Sequence, residues 1–343
     1  GASPSQHNHN HLGAAKMAKR GTLDDKLAAI REWRDRPESV ELIADLRKAL
    51  GDKSNFVVAA AAAIVGERRF VELAPALESA FDRFLVDPVK TDKLCRAKLA
   101  AVEALEKLEH PDADTFFKAA RHVQMEPVWG REEDSAPPLR AAGLGGLTRV
   151  NPPGLSYLLV EALTDPEREV RITAALSLGA VGSEAAVLTL RLKCRLGDKD
   201  PEVLSECLHG LLIASHREQM GFVEEFLNPD DPVYCEAAAL ALGKSRQPES
   251  LEPLRQCWER VGASSARETI LLAIAMLRAP AALDYLLELV AGDSESAARM
   301  ALSALKIHRH DLKLVERVER AVLRSGNPTI RVHFESGFRR GEE

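Results

Sequence analysis

Few residues in this chain are of types and spacings that do chemistry, and most of them are basic. Lys313, Arg317, Arg320 and Arg324 recur at intervals of three and four, so on a helix they share one face. They lie in residues 299–340, where ten Lys or Arg stand against four acids, a net of +6 in a chain of net charge −6. Such a face can hold phosphate or an acidic protein surface, or serve as a solvated cap on the end of a repeat array. The cap is the preferred reading, because no aromatic residues interleave for base stacking. A second candidate is Trp129 with Arg131, followed by Glu132, Glu133 and Asp134. These two residue types are the commonest anchors of protein interfaces. The alternative is a Trp folded back over the junction between neighbouring helices. Arg140, Arg171 and Arg331 share a repeating position and read either as a ladder for a polyanion or, preferably, as partners of neighbouring helix-capping Asp residues. His308 and His310 beside Asp311 have a weak metal-ligand spacing and read as solvated turn residues. Cys207 and His209 allow a thiolate pair, although core positions suit them better. No phosphate-cradling glycine loop, HExxH or GxSxG occurs, so the residues point to no cofactor, no metal and no catalytic group.

Composition narrows the setting. The chain has 343 residues, 45% hydrophobic but only 5% aromatic, with 29% charged. It can bury a large core of small aliphatic side chains, and its charge balance argues against intrinsic disorder and against bulk capture of nucleic acid. No apolar run approaches the roughly 18 to 20 residues of a membrane span, and no secretory signal opens the chain, so a soluble, cytoplasmic protein is expected. The five cysteines are odd in number and irregularly spaced, which fits buried thiols in a reducing compartment. Residues 1–16, with His7, His9 and His11 alternating with Asn, read as an expression-tag leader ahead of Met17.

The elements that position these residues are helices. From about residue 22 the apolar residues recur at helical spacing, and nothing reads as an alternating strand. A phrase, Val170-Arg171-Ile172-Thr173-Ala174-Ala175-Leu176-Ser177-Leu178-Gly179, recurs at 139–148 and 236–243, with weaker copies elsewhere. Aligning the copies on Leu178 gives the anchors Val65, Leu105, Leu147, Leu178, Ile213, Leu242, Met276, Leu305 and Phe338, about 34 residues apart on average. Asp165-Pro166, Asp200-Pro201, Asp231-Pro232 and Asn327-Pro328 precede copies as helix-start signals. Second helices are expected over 152–163, 183–196, 216–227, 249–261, 281–290 and 311–323. Gly143, Gly145 and Gly146 predict a weak or unusually tightly packed helix, and Glu206 with His209-Gly210 a bend or altered packing. Residues 124–138 form the longest interruption, a loop of a length that is uncommon in compact arrays.

The Asp-Pro openings, the Val-Arg-x-x-Ala-Ala-x-Ser-Leu-Gly phrase and the period resemble HEAT repeats, in particular the short subtype of the phycobilin lyases, over most of 38–340. The resemblance implies an all-α, right-handed α-solenoid of about nine stacked helix pairs, one array over 17–343 with second helices lining a concave groove. For function it implies several things at once, because this fold carries many activities. The preferred expectation is a non-enzymatic scaffold that binds an unknown protein or peptide through the second-helix face, the Trp129 loop or both. The alternatives are a phycobilin-lyase-like enzyme or chromophore-binding subunit, and nucleic-acid binding through the basic carboxy-terminal end.

Overall fold

The structure, a computed structural model, describes residues 22–262, 265–292 and 294–339. The expected leader 1–16, Met17 and Arg340 lie outside the described residues. The described residues fall into two compact units, within 1–108 and 109–343.

The first unit contains α1 (Leu23–Trp33), α2 (Val40–Leu50), α3 (Asn55–Arg68), α4 (Ala74–Phe84), the single turn α5 (Pro88–Thr91) and α6 (Arg96–Lys107). Helix α3 is nearly all small and aliphatic, NFVVAAAAAIVGER; it packs along α6 and buries Val57, Ala61, Ile64 and Val65. Such a helix has apolar residues on every side because neighbours cover most of it.

The second unit runs α7 (Asp114–Ala120), β1 (Met125–Val128), β2 (Arg131–Asp134), α8 (Pro137–Val150), α9 (Leu155–Ala162), α10 (Arg168–Val181), α11 (Glu184–Leu196) and α12 (Pro201–Glu224). It continues with α13 (Pro232–Ser245), α14 (Leu251–Arg260), α15 (Ala266–Leu277), α16 (Pro280–Ala291), α17 (Glu295–Leu305), α18 (Leu312–Ser325) and α19 (Pro328–Phe334). Extended backbone at Ser215 (φ −163°, ψ 96°) divides α12 into a first half, 201–214, and a second half, 216–224. First helices pack on first helices in sequence, α8 on α10, α10 on α12, α12 on α13, α13 on α15, α15 on α17 and α17 on α19. The second helices α9, α11, 216–224, α14, α16 and α18 lie beside them and bear the amphipathic pattern expected of them.

Small residues make the first-helix stack possible. A methyl group placed on Gly179 would lie 2.5 Å from the carbonyl oxygen of Gly210, and one on Gly210 would lie 2.7 Å from that of Ala175. The His209-Gly210 departure therefore produces a close helix crossing rather than a bend, and the break in α12 falls later, at Ser215. Gly143 and Gly146 of α8 meet α7 in the same way, Gly143 at Phe116 and Ala120 and Gly146 against the Phe116 ring, so tight packing is the outcome for that helix.

Three expectations need correction. The 124–138 segment is not a structureless loop, because β1 and β2 pair antiparallel with Val128 opposite Arg131. Strand propensity there is poor, with Pro127 and three acids, and tertiary ties rather than propensity hold the pairing. The anchors Val65, Leu105, Leu147, Leu178, Leu242 and Leu305 are fully buried, but Ile213 is 46% exposed and the buried positions are Leu211 and Leu212. At Met276 the buried neighbours are Ala275 and Leu277. Runs of adjacent apolar residues hide a slip of one position in these copies. Arg331, finally, pairs with Glu335 one helical turn on at 3.1 Å and, among the described residues, with no neighbouring cap.

Candidate interaction surface

Two of the repeated arginines, Arg140 and Arg171, are structural and join neighbouring repeats of the second unit. Arg140, at the start of α8, donates to Asp134 Oδ2 at 2.5 Å, His122 O at 3.0 Å and Asp165 Oδ1 at 3.0 Å. Arg171, one repeat on, donates to Asp198 Oδ2 at 3.0 Å, Asp198 Oδ1 at 2.9 Å, Asp200 Oδ2 at 2.5 Å and Asp165 O at 2.8 Å. Each guanidinium is buried and joins its own helix start to the next. Burial, the largest influence on Asp198, opposes its ionisation, yet hydrogen bonds from Arg171 and Lys193 outweigh it and hold the carboxyl at about 2. Asp231 and Asn327 cap their helices directly, accepting from the amides of Tyr234 and Thr329, while Asp200 turns to Arg171 instead.

One member of this set is not apparent from the recurring phrase. Lys98 of α6 sits seven residues before its anchor Leu105, as Arg171 does before Leu178. Its ammonium is fully buried, 3.1 Å from Asp92, which also accepts from Asn55 Nδ2 and from the amides of Ala97 and Lys98. The signal was a shared spacing of six between Asp and cation: Asp92 and Lys98, Asp134 and Arg140, Asp165 and Arg171.

The cysteines and histidines take separate partners. All five thiols are free and buried, with Cys235 Sγ 3.4 Å from Cys257 Sγ. Cys207 lies against Cys194, whose thiol is pushed up first by that contact and then by burial, so Cys207 makes no pair with His209. His209 Nδ1 instead lies 3.2 Å from Glu206 Oε2, and Glu206 also binds Lys244. His308 Nε2 donates to Ala275 O at 2.9 Å, and His310 accepts from Arg309 Nε at 3.2 Å.

Trp129 is not folded back. It occupies the tip of the hairpin at 102% relative exposure, with φ +41° followed by Gly130 at +86°. Two central residues in the left-handed region make the tight turn that suits the twist of a two-residue hairpin loop. A bulky aromatic in that conformation, bare to solvent, is a costly choice for folding alone. The base of the hairpin is firmly tied. Asp134 Oδ1 accepts from the amides of Gln124 and Ala136, both at 3.0 Å, and its other oxygen takes Arg140. Ser135 Oγ donates to Glu126 Oε1 at 2.6 Å. Arg131 pairs with Glu133 on the same strand.

Helix α18 buries Leu314, Val318, Ala321 and Val322 and turns its basic residues outward. Arg317, Arg320 and Arg324 come together with Asp284, Leu287, Glu288 and Leu323 around an open groove of about 730 Å³ between α16 and α18. Lys313 is exposed on the same helix outside that groove. Arg317 is paired with Asp284, so the face is less cationic than its sequence.

The outward face of α9 and α11 is apolar, a feature the repeat pattern does not announce. Helix α11 carries a buried stripe, Ala186, Leu190 and Cys194, and a second apolar stripe, Leu188, Leu192 and Leu196, in solvent. Tyr157 and Val160 of α9 are exposed beside it. The spacing of four between the three leucines was the available signal.

Helix pairs stacked in register, first on first, define an α-solenoid of helical repeats. Residues 127–211 and 221–306 match the HEAT-repeat family, and the chain is a HEAT-repeat protein. Among solved structures it is similar to the complex of CpcE and CpcF of phycocyanin lyase from Nostoc sp. PCC7120. The identity is 18%, over 85% of this chain and 96% of that chain, with a TM-score of 0.33. That level of likeness says nothing about activity. Curated proteins give no match. No described helix is long and apolar enough to cross a membrane.

Proposed function

We propose that this chain is a non-enzymatic scaffold that holds a protein or peptide against its second helices, with the Trp129 hairpin as an anchor. The observation that carries the reading is Trp129 itself, bare at the tip of a hairpin whose base is locked to α8 through Asp134 and Arg140. A rigid mount and an exposed indole are what an interface anchor needs, since little ordering entropy is lost when it docks. The groove lined by Arg317, Arg320 and Arg324 offers a second contact, with Lys313 exposed on the same helix and Arg131 two residues after Trp129 on the hairpin. Five free, buried thiols support action in a reducing cytoplasm.

Affinity capture from the native host tests it, comparing wild type with Trp129→Ala and with Arg317→Glu/Arg320→Glu. The expected result is a partner retained by wild type and lost at least about tenfold by Trp129→Ala. If neither substitution changes any reproducible partner, the proposed surfaces are wrong.

A further inference from the structure

The exposed face of α9 and α11 goes beyond general scaffolding, because it specifies a partner. Tyr157 is 80% exposed and Leu196 75%, and Val160, Leu188 and Leu192 are also in solvent. Single exposed apolar residues are ordinary, but five large ones on two adjacent helices make a patch of the kind that marks an interaction site. Leu188, Leu192 and Leu196 form an i±4 ridge, the element that fits the groove of another helix. From Leu188 to Leu196 the ridge rises about 12 Å, the length of two to three helical turns.

The rim selects the charge of the partner. Arg191 donates to Gln219 Oε1 at 2.9 Å and lies 4.5 Å from the centre of the Phe222 ring. Arg195 pairs with Glu225 and covers the rings of Phe222 and Phe226. Both arginines nearest the ridge are thus tied to α12 and its following turn. Glu161 on α9, Glu184 at the start of α11, and Glu218 and Glu224 on α12 are exposed and make no ion pair among the described residues; the cations of α9, α11 and 216–224 that likewise make none are Arg217 and Arg191, whose partner Gln219 is neutral. Four carboxylates without an ion pair against two such cations leave a rim of net negative charge around an apolar ridge.

We infer that this face takes an amphipathic helix of a partner protein, with its apolar stripe on Leu188, Leu192 and Leu196 and Lys or Arg on its flanks. The inference rests on the scaffold reading and names the partner's chemistry. Fluorescence anisotropy on the full chain tests it with three labelled synthetic peptides. One has leucines at helical spacing and lysines elsewhere, one has glutamates in place of the lysines, and one is a scramble of the first. The lysine peptide is expected to bind at least about tenfold tighter than either control. Because the whole chain is acidic, that preference must also depend on the ridge: Leu188→Ser/Leu192→Ser should weaken the lysine peptide at least about tenfold. Glu218→Lys/Glu224→Lys should move the preference toward the glutamate peptide, and all altered side chains are exposed, so melting temperatures should match wild type. Equal binding of the lysine and glutamate peptides, or unchanged affinity in the serine variant, overturns the inference. So does concentration-dependent dimerisation abolished by the serine variant, which would make a second copy the occupant. If host capture still depends on Trp129 while the peptides fail, the scaffold stands and this surface assignment falls. If both fail, both readings fall.

Discussion

Arg171 joins two helix starts through one buried guanidinium, and its removal leaves two carboxylates facing each other. Arg171→Met keeps most of the stem and removes the charge, so Asp198 is left buried with Lys193 and Asp200 loses its partner. Breaking such a pair from one side costs about 3 kcal/mol, measurable as a lowered midpoint in urea. Asp198 also sets an acid limb. Its folded value of about 2 lies below that of the unfolded chain, so its contribution is fully present above about pH 4 and disappears as pH falls toward 2. The size is about 2 kcal/mol, and in Arg171→Met, where the folded value of Asp198 moves back toward that of the unfolded chain, the loss between pH 4 and 2 should shrink, which denaturant curves between pH 2 and 6 would detect. An acid limb as large in the variant as in wild type would contradict this account. The arginine slot was legible in the sequence because Arg140 and Arg171 repeat with their neighbours. Lys98 escaped because a pattern built on Arg ignores a different cation doing the same job, whereas the Asp at a distance of six is constant.

The hairpin of β1 and β2 shows what sequence periodicity misses at the scale of an element. Glu126-Pro127-Val128 and Arg131-Glu132-Glu133 have no apolar alternation, since neither strand joins a larger sheet with a buried face. Pairing is set from outside the strands, by the amides that Asp134 receives and by the two-residue turn at Trp129 and Gly130. The helices were legible for the opposite reason: each buries a stripe in a stack, so burial prints its period on the residues. The turn gives a test that separates binding from folding. Asn-Gly is the favoured pair for such a turn, so Trp129→Asn should hold or raise the melting temperature. The same substitution should reduce partner capture at least about tenfold if the indole is an anchor. A Trp with only a structural role would give the reverse, a drop in melting temperature with binding preserved.

Across the second unit the solvent face of the second helices changes character along the stack. It is apolar on α9 and α11, carries acids such as Glu218, Glu224, Glu259 and Glu288 from 216–224 through α16, and is basic on α18. Charge counts over the sequence revealed the basic end but not the apolar one, because the outward leucines of α11 are interleaved with core positions of the same residue type. Beneath this face the first helices form a chain of nearest-neighbour contacts, and stability in such a stack is a sum of local and junction contributions. Damage at one junction should then stay local. Gly210→Val places a side chain where even a methyl group lies 2.7 Å from Ala175 O, and α10 cannot retreat without parting from α8. Overpacking of this kind costs about 1 to 3 kcal/mol. Hydrogen exchange followed by mass spectrometry should show the largest loss of protection in α10 and 201–214, less in α13, and little in α17 and α19. Uniform loss from α8 to α19 would mean that the unit unfolds as one cooperative body, and the nearest-neighbour description would have to give way to a single shared core.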